Sequence, residues 1–522
     1  MATLAKQPHE KELFGHPVGL YILFLTEMWE RYSYYGMRAL LTIYMVAKTV
    51  GDNPGLGWTN SESLALYGWY TMLVYVMSIP GGMIADKFIG QKRSVLVGAI
   101  ILVFGHGVLA VEAEWAFFTG LGLIVLGVGM LKPNISTMVG GLYKPNDIRR
   151  DKGFSIFYIG INLGSLLATS SVGIVAAVYG WHYGFGLAGI CMLLGLIVYV
   201  WGQKYLVHVG NVPTVEEKKN DVSLGAMYSR LFKSTKHAII FIALIILSVY
   251  AGFSFEGTDN WAYGLLFVFV TFVIGLMMVI YKDLETQVMK DRFLVLLLSF
   301  GIVIVFWGAF EQAGGLMSLY TEQKTNRDFF GLFEIPTAVF QGLNAGFIIL
   351  FAVVVANYWA KRKLKNKEAS SLFKMATGTI IMGTGFVFMI FASMQYQANG
   401  ESAMYWLVLA YLFHTIGELC ASPVALSFIT KLAPVKYASL MMGVYFASTG
   451  LGNKVAGILG ENAEHYGEMT IFTAIFIFTV AFGFLVIALL KPLKRLTHGA
   501  EDKERELSLM DNKGPELEEF QE

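Results

Sequence analysis

What most constrains this chain is a recurrence of apolar runs between residues 17 and 491. About fourteen of them are long enough to cross a bilayer, which takes ~20 residues each. They fall near 17–48, 62–85, 93–112, 115–139, 154–178, 183–203, 237–254, 261–281, 293–319, 335–359, 374–396, 403–431, 437–459 and 468–491. A membrane β-barrel would show short alternating segments instead. Of the 522 residues, 55% are hydrophobic and 15% charged, against about 25% charged in soluble domains. The chain therefore reads as an all-α integral membrane protein. No cleavable signal is expected, because the first run spans and lacks a small-residue cleavage site beyond it. Cys191 and Cys420 both lie in apolar runs, which favours packing over a disulfide framework. A net charge of +1 gives no reason to expect nucleic acid.

Basic residues sort the loops into two sets. One holds Lys87, Lys92 and Arg93; Lys144, Arg149, Arg150 and Lys152; Lys204, Lys218, Lys219, Arg230, Lys233 and Lys236; Lys282, Lys290 and Arg292; and KRKLKNK at 361–367. The other set holds only Lys48, Lys324, Arg327 and Lys454. By the positive-inside rule both termini face the cytoplasm. The expected organisation is a cytoplasmic N-terminus (1–16), a six-helix bundle (17–203), a cytoplasmic linker (204–236), an inserted two-helix hairpin (237–281), a second six-helix bundle (282–491) and a disordered cytoplasmic tail (492–522). The hairpin has few ionisable residues and reads as a lipid-facing accessory. Two similar halves meeting at the midplane are the usual architecture of secondary transporters.

Several spans carry charges that lipid does not tolerate. In TEMWERYSYYG (26–36) and just beyond it, Glu27, Glu30, Arg31, Tyr34 and Arg38 follow helical spacing and share one face. That face must look into a bundle or a wet cavity. Its two carboxylates compete for one guanidinium, and one of them is a natural place for a proton. Lys132 precedes Pro133 in GVGMLKPN (127–134), Glu311 lies in FWGAFEQAGG (306–315), and Glu418 in FHTIGELCASP (413–423). Structural ion pairs alone would be a poor reason for the whole set, since buried pairs stabilise less than apolar packing. Tyr158 and Asn162 stand one turn apart in FYIGINLGSL (157–166), with Gly160 and Gly164 as a small-residue contact. Tyr75, Trp307 and Asn344 are further polar candidates. His106 reads as a packing histidine, and His414 shares a face with Glu418. No metal-ligand cluster, nucleotide loop or nucleophile elbow stands out, so no enzyme and no cofactor is expected.

Two resemblances follow from these residues. GGMIADKFIGQKR (81–93) resembles the loop motif of the major facilitator superfamily: Gly81 and Gly82 permit close helix approach, and Asp86 either sits at a helix end or pairs with a basic residue of a neighbouring loop, a contact that breaks when the halves rock. EMWERYSYYG resembles the ExxER-F/Y-xYYG signature of the proton-coupled oligopeptide transporters, a branch of that superfamily. GVGMLKPNIS, FYIGINLGSL, FWGAFEQ and GELCASPVALSFITKLAP resemble further blocks of the family, in order, and the likeness runs from about 17 to 491.

The resemblance implies the major facilitator fold, with two extra transmembrane helices as in bacterial members. It also implies proton-coupled uptake of di- and tripeptides across the cell inner membrane by alternating access, with the proton as coupling ion. On it, Glu27, Glu30 and Arg31 form the coupling cluster, joined by the pair Arg38 and Glu311. Arg31 and Lys132 face the peptide carboxylate, and Glu418, Asn162 and Asn344 the amino terminus. Tyr34, Tyr75, Tyr158, Trp307, Ser422, Tyr445 and Ser448 line the pocket. Lys132 and Glu418 form an inner gate, and the functional unit is a monomer. Tyr445 in MMGVYFAS (441–448) stands where many members carry Trp, and Tyr32 replaces Phe. The main rival is a symporter of the same fold for nitrate or a modified amino acid.

Overall fold

The computed structural model describes residues 11–144, 147, 149–212, 235–253 and 260–500. Residues 1–10, most of the expected linker and the tail from 501 lie outside the described residues. Each of the fourteen apolar runs falls on helix. The first half contains α1 (Val18–Val46), α2 (Asn60–Val76), α3 (Ser78–Ile84), α4 (Gln91–Leu109), α5 (Glu114–Gly141), α6 (Arg149–Tyr179) and α7 (Trp181–Gly202). The inserted pair is α8 (Thr235–Phe253) and α9 (Asn260–Asp283). The second half contains α10 (Gln287–Phe310), α11 (Leu316–Lys324), α12 (Thr337–Leu364), α13 (Ser371–Asn399), α14 (Tyr405–Leu432) and α15 (Ala438–Glu461). It continues with α16 (Ala463–Tyr466), α17 (Glu468–Ala488) and the terminal α18 (Leu490–Leu496). Among the described residues, eleven helices are long and apolar enough to cross a membrane. α1 has the length but carries Glu27, Glu30, Arg31 and Arg38 in its interior.

Two segments depart from the expected form. The stretch that resembles a loop motif is helical through its glycines: α3 follows α2 directly, and a π turn over Ala85–Ile89 leads to Gly90. The run at 293–319 is broken instead of continuous. α10 ends at Phe310, a 3-10 turn covers Glu311–Ala313, and α11 begins after Gly314 and Gly315. Two successive glycines, poor helix formers, make that break possible and put Glu311 on the turn.

Gly81 and Gly82 are adjacent yet do different things. A Cβ on Gly81 would fall 2.0 Å from the carbonyl oxygen of Gly129 on α5, whereas one on Gly82 would meet only Pro133 Cβ at 4.0 Å. Backbone cannot yield as a side chain can, so Gly81→Val is expected to cost about 3 kcal/mol or more, at or above the usual range for overpacking. Gly82→Ala is expected to be near neutral. Monodisperse recovery in size-exclusion chromatography and thermal unfolding in detergent would separate the two variants.

The chain divides into two compact units. The larger comprises Met1–Pro213, Gly301–Leu426 and Tyr445–Ala488. Its first core packs Leu20, Leu23, Met37 and Leu40 of α1 with Val95, Leu102, Leu131 and Phe185. A second core gathers Met382, Phe386 and Met389 of α13 with Leu407, Ala410 and Phe472.

The smaller unit comprises Thr214–Phe300, Ser427–Val444 and Leu489–Glu522. Here the inserted pair goes with the α14–α15 junction, which a simple six-two-six reading does not anticipate. Asp283, at the end of α9, accepts hydrogen bonds from Lys436 Nζ at 2.6 Å and from the Tyr437 hydroxyl. α8 and α9 are linked by Ser248 Oγ and Thr271 Oγ1 at 2.6 Å, and Ile239, Ile242, Ile246 and Leu247 stay exposed, as a lipid-facing surface requires. Arg292 donates to the carbonyls of Thr497 and His498 at 2.9 and 3.1 Å. The start of the expected tail, 492–500, is therefore held in place.

Candidate functional site

α1 remains helical through its charged middle because its other faces are apolar, and those faces orient the polar stripe inward. Glu27, Glu30 and Arg31 are all buried. Arg31 Nε lies 3.0 Å from Glu27 Oε1 and also pairs with Glu30 Oε2, while its guanidinium stands 5.5 Å over the Tyr34 ring. Among the described residues, Glu27 Oε2, Glu30 Oε1 and Arg31 Nη2 make no hydrogen bond. A guanidinium carries five donors and two carboxylates about eight acceptor positions. The cluster therefore keeps capacity for a ligand carboxylate and for a proton.

Lys132 belongs to the same cluster. Its ammonium lies 3.7 Å over the Tyr75 ring, and the charges of Arg31, Glu30, Glu27 and Glu311 all act on it. A desolvated cation–π contact of this kind is worth about 2 kcal/mol. Glu418 sits on α14 in the other half and accepts from Asn344 Nδ2 at 2.8 Å; Asn344 also donates to Thr415 Oγ1 at 3.1 Å. The bridge between Lys132 and Glu418 implied by the resemblance is not among the ion pairs of the described residues. Each of the two groups has another partner in this conformer.

Arg38 and Glu311 do meet. Arg38 Nη1 donates to Glu311 Oε1 at 2.7 Å, and the Tyr67 hydroxyl donates to the same oxygen at 2.5 Å. This pair lies in a seam where the two halves touch. Thr42 Oγ1 donates to the Gly314 carbonyl at 3.2 Å, and Asn60 and Gln323 exchange amide hydrogen bonds at 3.1 and 2.9 Å. Glu464 accepts from the Ser61 amide at 3.0 Å. A Cβ on Gly68 would fall 2.8 Å from Gly457 Cα, so α2 and α15 meet almost backbone to backbone. Glycine is required for that approach.

The remaining candidates fall around these groups. Tyr158 is partly exposed on α6, one turn before Asn162. Tyr445 is buried on α15, and its backbone carbonyl accepts from Thr449 Oγ1 at 3.2 Å. Tyr34 is buried with its ring 5.4 Å from that of Tyr35, and Ser448 is buried on α15 one turn after Tyr445. Asn162 points its amide back to the Tyr158 carbonyl at 3.0 Å, so that donor serves its own helix. Trp307 packs edge-on to Phe310 at 5.3 Å and abuts Gly452. His414 turns toward α13, with its ring 4.6 Å from that of Phe386 and room left by Gly385. It is a packing histidine in this conformer.

Sequence reasoning missed Tyr67 and misplaced Lys454. Tyr67, Tyr70, Thr71 and Tyr75 share a helical face, and that spacing was the readable signal. By sequence Lys454 reads as a loop cation, but α15 runs on to Glu461. Its side chain is 1% exposed, with the ammonium 4.3 Å over the Trp69 ring. The glycines of GLGNKVAGILG (450–460), spaced for close helix contact, are the pattern that betrays it.

With this geometry in hand, comparison with known proteins is direct. The sequence profile of the POT family matches residues 92–473. The peptide transporter YePEPT of Yersinia enterocolitica subsp. palearctica serotype O:3 (strain YE-P4) is 34% identical, covering 97% of this chain and 100% of its own. A di-/tripeptide transporter of Lactococcus lactis subsp. cremoris is 34% identical, covering 93% of this chain and 98% of its own. A crystal structure of a peptide transporter POT in complex with sulfate aligns with a TM-score of 0.80 at 35% identity, covering 93% of this chain and 97% of that one. Full-length similarity, fold and the charged blocks on both halves lead to one conclusion: this chain is a member of the POT family.

Proposed function

We propose that the protein takes up di- and tripeptides across the cytoplasmic membrane, driven by protons, through alternating access. The observation that carries this is the distribution of charge. Arg31 and Lys132 on the first half offer cations, while Glu418, held by Asn344 on the second half, offers an anion. A zwitterion with its charges at opposite ends fits between them, and each ionic contact is charge-assisted. Tyr158, Tyr445 and Trp307 supply aromatic walls that tolerate different side chains. The relatives' names, a peptide transporter and a di-/tripeptide transporter, support the same substrate class. Both halves of the site belong to one chain, which supports a monomer as the functional unit.

The basic loops put both termini in the cytoplasm, so the Arg38–Glu311 seam closes the outer side. We read this conformer as inward-facing, since the Arg38–Glu311 pair is made and Lys132 and Glu418 each have another partner. When the halves rock, the seam opens and Lys132 meets Glu418 to close the inner side. Protonation of a helix-one carboxylate loosens its hold on Arg31, which is then free for the peptide carboxylate. Proton and peptide therefore arrive together.

Reconstituted vesicles with a trapped pH dye test this reading. Adding dialanine outside is expected to acidify the lumen, while free alanine and nitrate leave it unchanged. Acidification by nitrate alone would instead support an anion symporter of the same fold.

A further inference from the structure

The loop joining α11 to α12, NRDFFGLFEIP (326–336), is a closed turn that presents its large apolar side chains outward. Arg327 pairs with Glu334 at 2.7 Å and Glu322 at 3.2 Å. Asp328 Oδ2 accepts from the Gly331 amide at 2.7 Å, the Phe329 amide donates to the Phe333 carbonyl at 2.8 Å, and Ile335 donates to Arg327 at 3.0 Å. Phe330 and Gly331 at the tip take φ of +54° and +74°, a conformation uncommon for a phenylalanine. The result is a pinned turn whose large side chains are presented to the outside. Phe330 is 86% exposed, Leu332 76%, Phe333 57% and Phe329 37%. Scattered exposed apolar residues need no explanation, but a contiguous group on an ordered loop marks an interaction surface.

Its depth identifies the partner. α12 has 28 residues and carries Lys361, Arg362 and Lys363 in its last turn, just after Tyr358 and Trp359. Aromatic and basic residues together mark the end of a span. At 1.5 Å per residue α12 is about 42 Å long, close to the ~40–45 Å of a bilayer with its headgroups. With the basic end at one interface, Thr337 reaches the opposite headgroup level. Phe329 to Phe333, a few residues before Thr337, lie at that depth. Four apolar side chains are far fewer than the roughly 20–30 residues a side of a stable protein interface.

We propose that this loop is a lipid anchor, with Phe330, Leu332 and Phe333 inserted among the headgroups and upper acyl chains beside the end of α12. It ties the seam end of the second half to the membrane surface. The anchor does not depend on the nature of the transported solute.

The test places an environment-sensitive dye on Phe330→Cys, with Asp52→Cys, exposed in the α1–α2 loop, as control. The native Cys191 and Cys420 are buried, and monodispersity on size-exclusion chromatography verifies the fold. The protein is reconstituted in phosphatidylethanolamine–phosphatidylglycerol vesicles with some lipid brominated near the top of its acyl chains. Brominated lipid is expected to quench the dye at 330 about twofold and the control hardly at all, as for interfacial insertion. Aqueous iodide is expected to quench the control far more strongly. Equal quenching of both sites by iodide, with none by brominated lipid, would overturn the anchor. Protection from iodide that appears only at high protein-to-lipid ratio would overturn it as well, in favour of a second copy.

Discussion

Glu30→Gln is expected to abolish proton-driven accumulation of dialanine while leaving exchange of labelled for unlabelled peptide intact. A membrane potential contributes about 2.3 kcal/mol per charge per 100 mV. At ~1.4 kcal/mol per tenfold, one coupled proton concentrates a neutral zwitterion about fifty-fold, and the variant should fall to a ratio near one. Glu30 is the better candidate on geometry. It is the more deeply buried of the two, 0% exposed against 2% for Glu27, and its Oε1 makes no hydrogen bond among the described residues while Oε2 pairs with Arg31. A proton on Oε1 supplies a donor at the oxygen that Arg31 does not reach. Arg31 keeps Glu27, 3.0 Å away, as its partner in the variant, so the cation proposed to hold the peptide carboxylate stays in place and exchange is expected to survive. Accumulation that persists in Glu30→Gln and disappears in Glu27→Gln would move the coupling proton to Glu27. Loss of exchange with binding intact would remove Glu30 from the coupling step.

Glu311→Ala is expected to open the seam. Arg38 is largely buried and Glu311 is its acidic partner at 2.7 Å; Tyr67 loses its acceptor at the same stroke. Removing one member of a buried pair costs about 3–5 kcal/mol, which shifts the closed-to-open ratio of the seam by about two orders of magnitude or more. Asn60 and Gln323, hydrogen-bonded across the halves and exposed, give a direct readout as a pair of introduced cysteines. Bifunctional cross-linking of Asn60→Cys with Gln323→Cys should be nearly complete in the parent and slow in Glu311→Ala. Glu311→Gln should lie between, because its amide oxygen still accepts from Tyr67 but offers Arg38 no charge. Unchanged cross-linking would mean that the Gly68–Gly457 contact and the Lys454–Trp69 contact hold the seam without the ion pair.

Much of the site was legible before any coordinates. The charges of α1 could be read because helical spacing places them on one face and lipid excludes that face from the outside. Lys132, Glu311 and Glu418 stood out by the same exclusion. Tyr67 did not, because a tyrosine in an apolar helix is ordinarily packing, and nothing local shows that its hydroxyl meets a carboxylate 244 positions away. Lys454 was misread because a lysine beside asparagine and glycines resembles a loop. Its burial depends on α2 coming close enough to cover it.

What the sequence by itself determined is therefore what the bilayer and the helix period dictate together: the spans, the two halves with an inserted pair, and which residues must face inward. Those are local properties, since each follows from some twenty consecutive residues and their solvent. The tertiary structure alone decided the partners: Arg38 with Glu311, Asn344 with Glu418, Lys132 over Tyr75, and the break that puts Glu311 on a turn. Such choices depend on groups far apart in the chain approaching within a few ångströms. No stretch of twenty residues specifies them, which is why Lys132 lies over Tyr75 and Glu418 beside Asn344 without either partner being readable beforehand.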